Sequence, residues 1–237
     1  MLDSSFPRIR IISALVLTLL LAAGCGGGGT STDVVGSGGT GSISGVATKG
    51  PISNATITGY GISGGQMGSQ IGTATTDANG SFTMSIGAYA GPVMMKVSEG
   101  TYKDEATGSS MGMASGDVMT AVMPSVAAGV TNNGIQVTPV TAMAQAMAQS
   151  MAGGMTEANI AAANAAMGNY FMVSDILHVQ PMNPLMTGSG AGANQDARNY
   201  GMTMAAMSQY AKTRSMSASS AMVTAMMNDA SDGVVDG

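Results

Sequence analysis

The sequence predicts an α+β protein of two domains, a small antiparallel β-sandwich followed by an Ala/Met-rich helical bundle. The hydrophobic pattern has a period of two across residues 42–125, and it changes to a period of 3.6 from Thr138 onward. Turn motifs rich in Gly, Pro and Asn separate the short segments of the first region, as is typical of a sandwich. We therefore assign residues 42–125 to the sandwich and residues 138–237 to the helical domain.

Alternation is clearest in residues 81–86 and 93–97 of the first region. We expect one face of these strands to be buried, namely Phe82, Met84, Ile86, Val93, Met95 and Val97, and Thr83, Ser85 and Lys96 to face solvent. Thr-rich runs at residues 55–58 and 71–75 favour two more strands. Residues 118–123 predict a further strand, which we expect Pro124 to end.

Four helices are predicted in the second region. Thr138 is a good N-cap with Pro139 at the first helical position, and Met143, Met147 and Met151 then recur every fourth residue. Three more amphipathic segments are predicted to be helical: 156–171, 195–213 and 217–227. Residues 173–192 contain prolines and glycines and predict a long loop. We expect Met143, Met147, Met204, Met207, Met222 and Met226 to pack together with Tyr200.

Short motifs in the first region resemble the carboxypeptidase regulatory-like family. They are Gly45-Val46, Gly50-Pro51-Ile52 and the hairpin Thr76-Asp77-Ala78-Asn79-Gly80-Ser81-Phe82. The resemblance implies a transthyretin-like sandwich of seven strands and no catalytic activity, because such modules act as stalks, spacers or binding surfaces.

The N-terminus predicts export. Arg8 and Arg10 precede an apolar stretch at residues 11–21, which is shorter than the roughly 20 residues that a membrane-spanning helix needs. Cys25 follows Ala22-Ala23-Gly24, and this segment resembles the lipobox of bacterial lipoproteins, although Ala22 stands where that pattern prefers Leu, Val or Ile. The resemblance implies a signal peptide at residues 1–24 and several acyl chains, palmitate among them, on Cys25. The alternative is an ordinary cleaved signal with an accidental cysteine.

Composition limits what the mature chain can do. Removing 24 of 237 residues leaves 213, with six basic residues against 12 acidic ones once Arg8, Arg10 and Asp3 are gone. No basic patch is present, so we expect no nucleic-acid binding. Cys25 is the only cysteine, which excludes an intrachain disulfide or a thiolate metal site. Residues 25–41 form a Gly/Ser-rich linker.

Methionine is unusually frequent, with 24 in the chain, whereas Leu177 and Leu185 are the only leucines after the signal. Thioethers bind Cu(I), so pairs such as Met111/Met113, Met202/Met204 and Met226/Met227 raise the alternative of a copper site. The apolar faces on which most methionines lie favour core packing instead. We therefore predict no metal ligands and no cofactor.

Three further patterns are weak. Gly61-Ile62-Ser63-Gly64-Gly65 matches the nucleophile motif of hydrolases, but it falls between two predicted strands and the single histidine, His178, is remote. We interpret it as a mobile turn. The C-terminal Asp229, Asp232 and Asp236 do not fit the calcium loop of an EF-hand, and a looser carboxylate site is the alternative. We expect Asp104 and Glu105 to be solvated turn carboxylates.

These observations predict a non-enzymatic lipoprotein of the bacterial envelope with a structural, adhesive or interaction role. Its expected partners are the membrane, through the lipid anchor, and an envelope or surface partner that the sequence does not identify. Gly26 after the acylated cysteine favours the outer membrane over the inner. The alternative function is binding of copper or a small ligand by the Met-rich helical domain. The abrupt end at Gly237 leaves open that the chain is a fragment.

Overall fold

The computed structural model describes residues 39–236, which contain nine strands and five helices in an α+β arrangement. The strands are β1 (Gly41–Ala47), β2 (Thr56–Ser63), β3 (Gln66–Thr75), β4 (Ser81–Gly87), β5 (Gly91–Ser98), β6 (Thr101–Lys103), β7 (Ser110–Gly112), β8 (Val118–Val126) and β9 (Thr131–Val137). The helices are α1 (Pro139–Ser150), α2 (Glu157–Phe171), α3 (Ser189–Gly192), α4 (Gln195–Thr213) and α5 (Ser220–Ala230).

The strands form three sheets. A four-stranded antiparallel sheet has the order β3-β2-β5-β8, and a three-stranded sheet has the order β4-β1-β9. In the second sheet β1 pairs antiparallel with β4 and parallel with β9. A small hairpin pairs β6 with β7. Side chains from the two larger sheets share one hydrophobic cluster, so the sheets bury their apolar faces against a common core.

The alternating pattern of β4 and β5 produces the buried face that we predicted. Exposure is 4% or less for all six residues, Phe82, Met84, Ile86, Val93, Met95 and Val97. Thr83 and Ser85 are exposed, as expected, whereas Lys96 is half-buried. A side chain that alternates to the outer face of a strand is therefore not always fully solvated, because neighbouring strands flank it.

The prediction that Pro124 ends a strand was wrong, because β8 continues through it to Val126. β8 lies at the edge of its sheet, where strands tolerate proline because N–H groups on the outer side have no ladder partner. The register with β5 also shifts between the pairs Gly91↔Val126 and Val93↔Met123, so Pro124 lies in an irregular part of the ladder.

Strands β1 and β9 were not predicted. Their small and polar residues give little hydrophobic alternation, and tertiary pairing decides their structure instead. A Cβ atom built on Gly45 would lie 1.8 Å from the carbonyl oxygen of Ile135, so the close parallel pairing of these strands requires glycine there.

Local capping explains the helices that were predicted well. Thr138 accepts a hydrogen bond from the Thr141 N–H, and the Thr141 hydroxyl accepts one from the Thr138 N–H, which closes a capping box at the start of α1. Thr156 caps α2, and α4 spans the predicted residues 195–213. The predicted helix 217–227 begins three residues later, at Ser220, and the predicted loop 173–192 ends in the short helix α3.

Helices and strands belong to one compact unit, Gly38–Gly237, so the expected division into two domains is not confirmed. Helices α1, α2 and α5 contact β8, and α1 also contacts β9. The cluster that contains the sheet residues also includes Ala142 of α1, Val223 of α5 and the loop residue Leu177. No helix among residues 39–236 has the length and apolarity to cross a membrane.

Methionine fills much of the interior. Met143, Met204 and Met207 are buried, with exposures of 5% or less. Met143 and Met207 belong to one cluster with Tyr200, against which Met147, Met222 and Met226 pack in partly buried positions. The predicted packing of methionine around Tyr200 is thus confirmed for these residues, while Met204 lies outside that cluster.

Candidate functional site

The lipidation site lies outside the described residues. Cys25, the signal peptide at 1–24 and most of the linker at 25–41 precede residue 39. The predicted acylation therefore stays a prediction, and the candidate sites below belong to the folded body.

A buried ion pair is the most unusual feature of that body. The Nζ of Lys49, in the turn after β1, lies 2.8 Å from Oε2 of Glu105, and both side chains are only 1% exposed. Ser208 of α4 donates to the same Oε2 at 2.5 Å and also contacts the Lys49 ammonium. The expectation of a solvated Glu105 was wrong, because α4 covers this carboxylate.

Asp104 is buried as well, at 2% exposure, so it is not a solvated turn carboxylate either. Its Oδ2 accepts a 2.6 Å hydrogen bond from Ser219, and its Oδ1 accepts from the backbone N–H groups of Ala106 and Thr107 and from the Thr107 hydroxyl. Burial opposes ionisation, but the hydrogen bonds from Ser219 and Thr107 and the nearby Lys49 ammonium outweigh it and lower the pKa of Asp104. The carboxylate is therefore held in its charged form.

Tyr102 connects the β6 strand with the start of α5 and with Ser219, which donates to Asp104. Its hydroxyl lies 3.0 Å from Oγ of Ser219 and accepts a hydrogen bond from the Ser220 N–H at the start of that helix. The Lys49 ammonium lies 5.6 Å from the centroid of its ring, within the range of a cation–π contact. These residues, which we call the lysine network, are Lys49, Tyr102, Asp104, Glu105, Ser208 and Ser219.

The lysine network fastens the strands to the helices. Its hydrogen bonds join residues more than 100 positions apart, such as Glu105 with Ser208 and Asp104 with Ser219. In some hydrolases a serine acts as the nucleophile and a neighbouring lysine acts as its general base. Here, however, the Lys49 ammonium donates to Glu105, whereas a general base must accept a proton, and Ser208 is only 1% exposed. These hydrogen bonds hold α4 and the start of α5 against the strand region.

A cavity of about 320 Å³ lies beside this network. Glu105 is the one charged residue among the described residues that line it. The Oε1 atom of Glu105 is buried and receives no hydrogen bond from the described part of the protein, while Oε2 receives two. A buried acceptor without a donor is uncommon in folded proteins.

A larger cleft of about 960 Å³ lies at the end of the chain, between α2, α4 and α5. Its lining is mainly apolar and includes four methionines and three aromatic residues, with Arg214, Asp229 and Asp236 as the charged residues. The apolar set is Tyr170, Phe171, Met207, Tyr210, Met216, Met222 and Met226. We call it the methionine cleft. Tyr170 and Tyr210 are each more than half exposed, so aromatic surface is accessible there.

Two of the candidate copper pairs, Met202/Met204 and Met226/Met227, are divided between different environments. Met202 is 57% exposed, whereas its partner Met204 is 1% exposed and lines the smaller cavity. Met111 and Met113 pack in partly buried positions against the sheet core. Of the predicted pairs, Met226/Met227 contributes only Met226 to the methionine cleft.

The hydrolase-like motif is a packed hairpin turn. Ser63 ends β2, and Gly64 and Gly65 form the two-residue turn to β3 with φ values of +57° and +74°. The carbonyl oxygen of Gly65 accepts a hydrogen bond from the Met155 N–H at 2.8 Å. The turn predicted to be mobile therefore rests on the α1–α2 connection.

The remaining predicted residues form no site together. The Nδ1 atom of His178 lies 2.7 Å from Oδ2 of Asp175, and both side chains are about half exposed. Asp229 and Asp236 line the methionine cleft, whereas Asp232 does not. Across residues 39–236, no three His, Cys, Asp or Glu side chains are grouped so that they could hold a metal ion.

The sequence did not predict the lysine network, because the residues that form it are far apart along the chain. One signal was available: only 9% of residues are charged, so the charged pair Asp104-Glu105 beside Lys103 stands out. Nothing in the local sequence, however, indicates that Ser208 and Ser219 would cover these carboxylates.

Comparison with known proteins does not identify this arrangement. No protein-family model matches the chain, and no curated protein matches it in sequence. Among solved structures, the crystal structure of a 9R-lipoxygenase from Cyanothece PCC8801 is 13% identical, with a TM-score of 0.26. That alignment covers 48% of this chain and 18% of the lipoxygenase, and a TM-score this low does not indicate a shared fold.

Proposed function

We propose that this protein is a lipid-anchored lipoprotein of the bacterial envelope with a non-enzymatic structural or interaction role. The observation that carries the proposal is Cys25, the only cysteine, placed directly after Ala22-Ala23-Gly24 and a short apolar segment. Several acyl chains on one residue would give a stable anchor, whereas a single chain gives only reversible binding. The linker at 25–41 would then let the folded body reorient above the membrane.

We also propose that the two larger sheets form the carboxypeptidase regulatory-like sandwich that the sequence resembles. The shared core between the sheets supports this, as does the Asp77 turn, where Oδ1 accepts from the N–H groups of Asn79 and Ser81. The helices would extend the module on the β8 side. The long-range hydrogen bonds of the lysine network, which hold the helices against the strands, support a stalk or interaction module of this kind.

Metabolic labelling with an alkyne analogue of palmitate in a bacterial host tests the anchor. We expect the wild type and a Thr30→Ser control to be labelled and to fractionate with membranes, and Cys25→Ser to be unlabelled. Gly26→Asp should move the protein from the outer to the inner membrane if the sorting rule applies. Labelling that persists in Cys25→Ser would contradict the proposal.

The methionine cleft supports a second candidate function, the binding of a small apolar ligand or of Cu(I). Its volume lies at the upper end of the usual range for ligand sites, and its surface combines aromatic rings with thioethers. Titration of [methyl-¹³C]methionine protein with one equivalent of Cu(I) tests the copper alternative. Selective shifts of three or four cleft methyl signals would favour copper, whereas unshifted methyl signals would exclude copper from the cleft.

A further inference from the structure

We propose that the side chains of Lys49 and Glu105 condense into an intrachain amide bond, with Ser208 as the proton relay. The bond joins residues 56 positions apart in a chain whose single cysteine excludes an intrachain disulfide. This modification depends neither on the lipid anchor nor on a ligand of the methionine cleft. Its basis is the contact between the two reacting groups, the hydrogen bonds of Ser208, the unpaired oxygen of Glu105 and the exclusion of water.

The fold holds the two reacting groups in contact. The Nζ atom of Lys49 lies 2.8 Å from Oε2 of Glu105, and the carboxyl carbon Cδ is one bond beyond this oxygen. Reacting atoms in a near-attack arrangement are about 3–3.5 Å apart. Gly50 lets the turn that carries Lys49 come close to the end of β6, because a Cβ atom there would lie 2.1 Å from the Lys103 carbonyl oxygen. Tertiary packing therefore supplies the proximity that amide formation needs.

Ser208 connects the two groups in the direction that a proton must travel. Its Oγ atom accepts a hydrogen bond from the Lys49 Nζ, and its hydroxyl donates to Oε2 of Glu105 at 2.5 Å. A serine hydroxyl can accept one hydrogen bond while it donates another. Ser208 can therefore pass a proton from the attacking nitrogen to the oxygen that leaves.

The condensation needs no further reactant. One proton moves from Nζ to Oε2, which makes the amine and the carboxyl group neutral. The Nζ lone pair then attacks Cδ, and the Nζ–Cδ bond forms. A second proton passes from Nζ through Ser208 to Oε2, and the Cδ–Oε2 bond breaks. The products are one amide and one water molecule, and nothing is oxidised or reduced.

The second carboxylate oxygen of Glu105 fits the amide better than the ion pair. Oε1 is buried and has no donor among the described residues. An anionic oxygen in that position is costly, whereas an amide oxygen carries no formal charge and loses less hydration. The amide nitrogen keeps one N–H group, for which Ser208 Oγ is the acceptor. Condensation thus removes two buried charges and leaves the remaining donor with a partner.

Burial protects the bond from hydrolysis. The side chains of Lys49 and Glu105 are each 1% exposed, and the Tyr102 ring lies beside the lysine with its centroid 5.6 Å from Nζ. A closed site of this kind keeps bulk water from reversing the reaction. The amide would hold the turn after β1 permanently against the turn after β6.

Peptide mass spectrometry of the full-length protein, purified from bacterial membranes and denatured, tests the bond. Cleavage before aspartate separates residues 33–76, which contain Lys49, from residues 104–116, which contain Glu105, and neither fragment includes Cys25. We expect a linked product whose mass is the sum of the two fragments minus one water molecule, with fragment ions that assign the link to Lys49 and Glu105. Recovery of the two fragments only in separate form would overturn the proposal.

Two variants test the residue assignment. Lys49→Met and Glu105→Leu should each abolish the linked product, whereas Lys103→Met, at an exposed position of β6, should retain it. A linked product that persists in either of the first two variants would overturn the assignment. If these variants do not fold, the wild-type digest still decides.

Ser208→Ala tests the relay. In a pulse–chase experiment, we expect the linked product to form about 10²-fold more slowly than in the wild type, because general acid–base catalysis contributes about 10²–10⁴-fold. Gln209→Ala, at the neighbouring exposed position of α4, should leave the rate unchanged. An unchanged rate in Ser208→Ala would overturn the role of Ser208 as relay.

Discussion

Replacing Lys49 with methionine should destabilise the folded body strongly. The Nζ atom lies 2.8 Å from Glu105 Oε2, and both side chains are 1% exposed, so the substitution leaves a buried carboxylate with only Ser208 as a donor. Breaking a buried pair by removing one partner costs about 3–5 kcal/mol. This is a large share of the roughly 5–15 kcal/mol by which folded domains are usually stable.

The double variant Lys49→Met with Glu105→Leu separates the cost of an orphaned charge from the cost of lost packing. Since neither charge remains, we expect it to recover most of the loss and to be more stable than Lys49→Met alone. Lys103→Met, an exposed lysine on the neighbouring strand β6, should change the free energy of unfolding by less than about 0.5 kcal/mol.

Urea unfolding followed by far-UV circular dichroism measures these differences, because the protein has no tryptophan for fluorescence. A Lys49→Met variant within about 1 kcal/mol of the wild type would show that the buried pair does not stabilise the fold in this way. A double variant that is less stable than Lys49→Met would show that the orphaned carboxylate is not the cause of the loss.

Three further substitutions test the core, a buried hydroxyl and a tight turn. Phe82→Ala should cost about 3–5 kcal/mol, because the ring is 4% exposed in the common core; a loss under 1 kcal/mol in urea unfolding would contradict this. Burial raises the pKa of Tyr200 above its ordinary value of 10.0, so stability should be intact below pH 10 and fall as the unfolded chain ionises above it. Tyr200→Phe should reduce this loss of stability at alkaline pH, measured by thermal melts between pH 8 and 11. An unchanged pH profile would show that the Tyr200 hydroxyl does not cause the loss. Gly65→Ala should lower the melting temperature more than Gly64→Ala does. A Cβ at Gly65 would lie 1.8 Å from the Gly153 oxygen, whereas a Cβ at Gly64 has open space. Equal decreases in melting temperature would contradict this packing.

Features coded locally could be predicted from the sequence. The alternation in residues 81–86 predicted both a strand and its buried face, and the pair Thr138-Pro139 predicted where α1 begins. Residues 195–213 carry apolar side chains at helical spacing, and α4 has these bounds.

Features that depend on distant partners could not be predicted. β9 contains Thr131, Asn132 and Asn133 and becomes a strand because it pairs with β1, nearly 90 residues earlier. Asp104 and Glu105 resemble solvated turn residues until Ser208 and Ser219 cover them. Long-range burial of this kind leaves no periodicity in the local sequence.

Intact-mass and peptide mass spectrometry of the protein purified from bacterial membranes is the sharpest test of the lipid anchor at Cys25. We expect an N-terminal peptide that begins at Cys25 and carries acyl chains on both its sulfur and its amino group. A free thiol at Cys25, or a mature N-terminus at another residue, would contradict it.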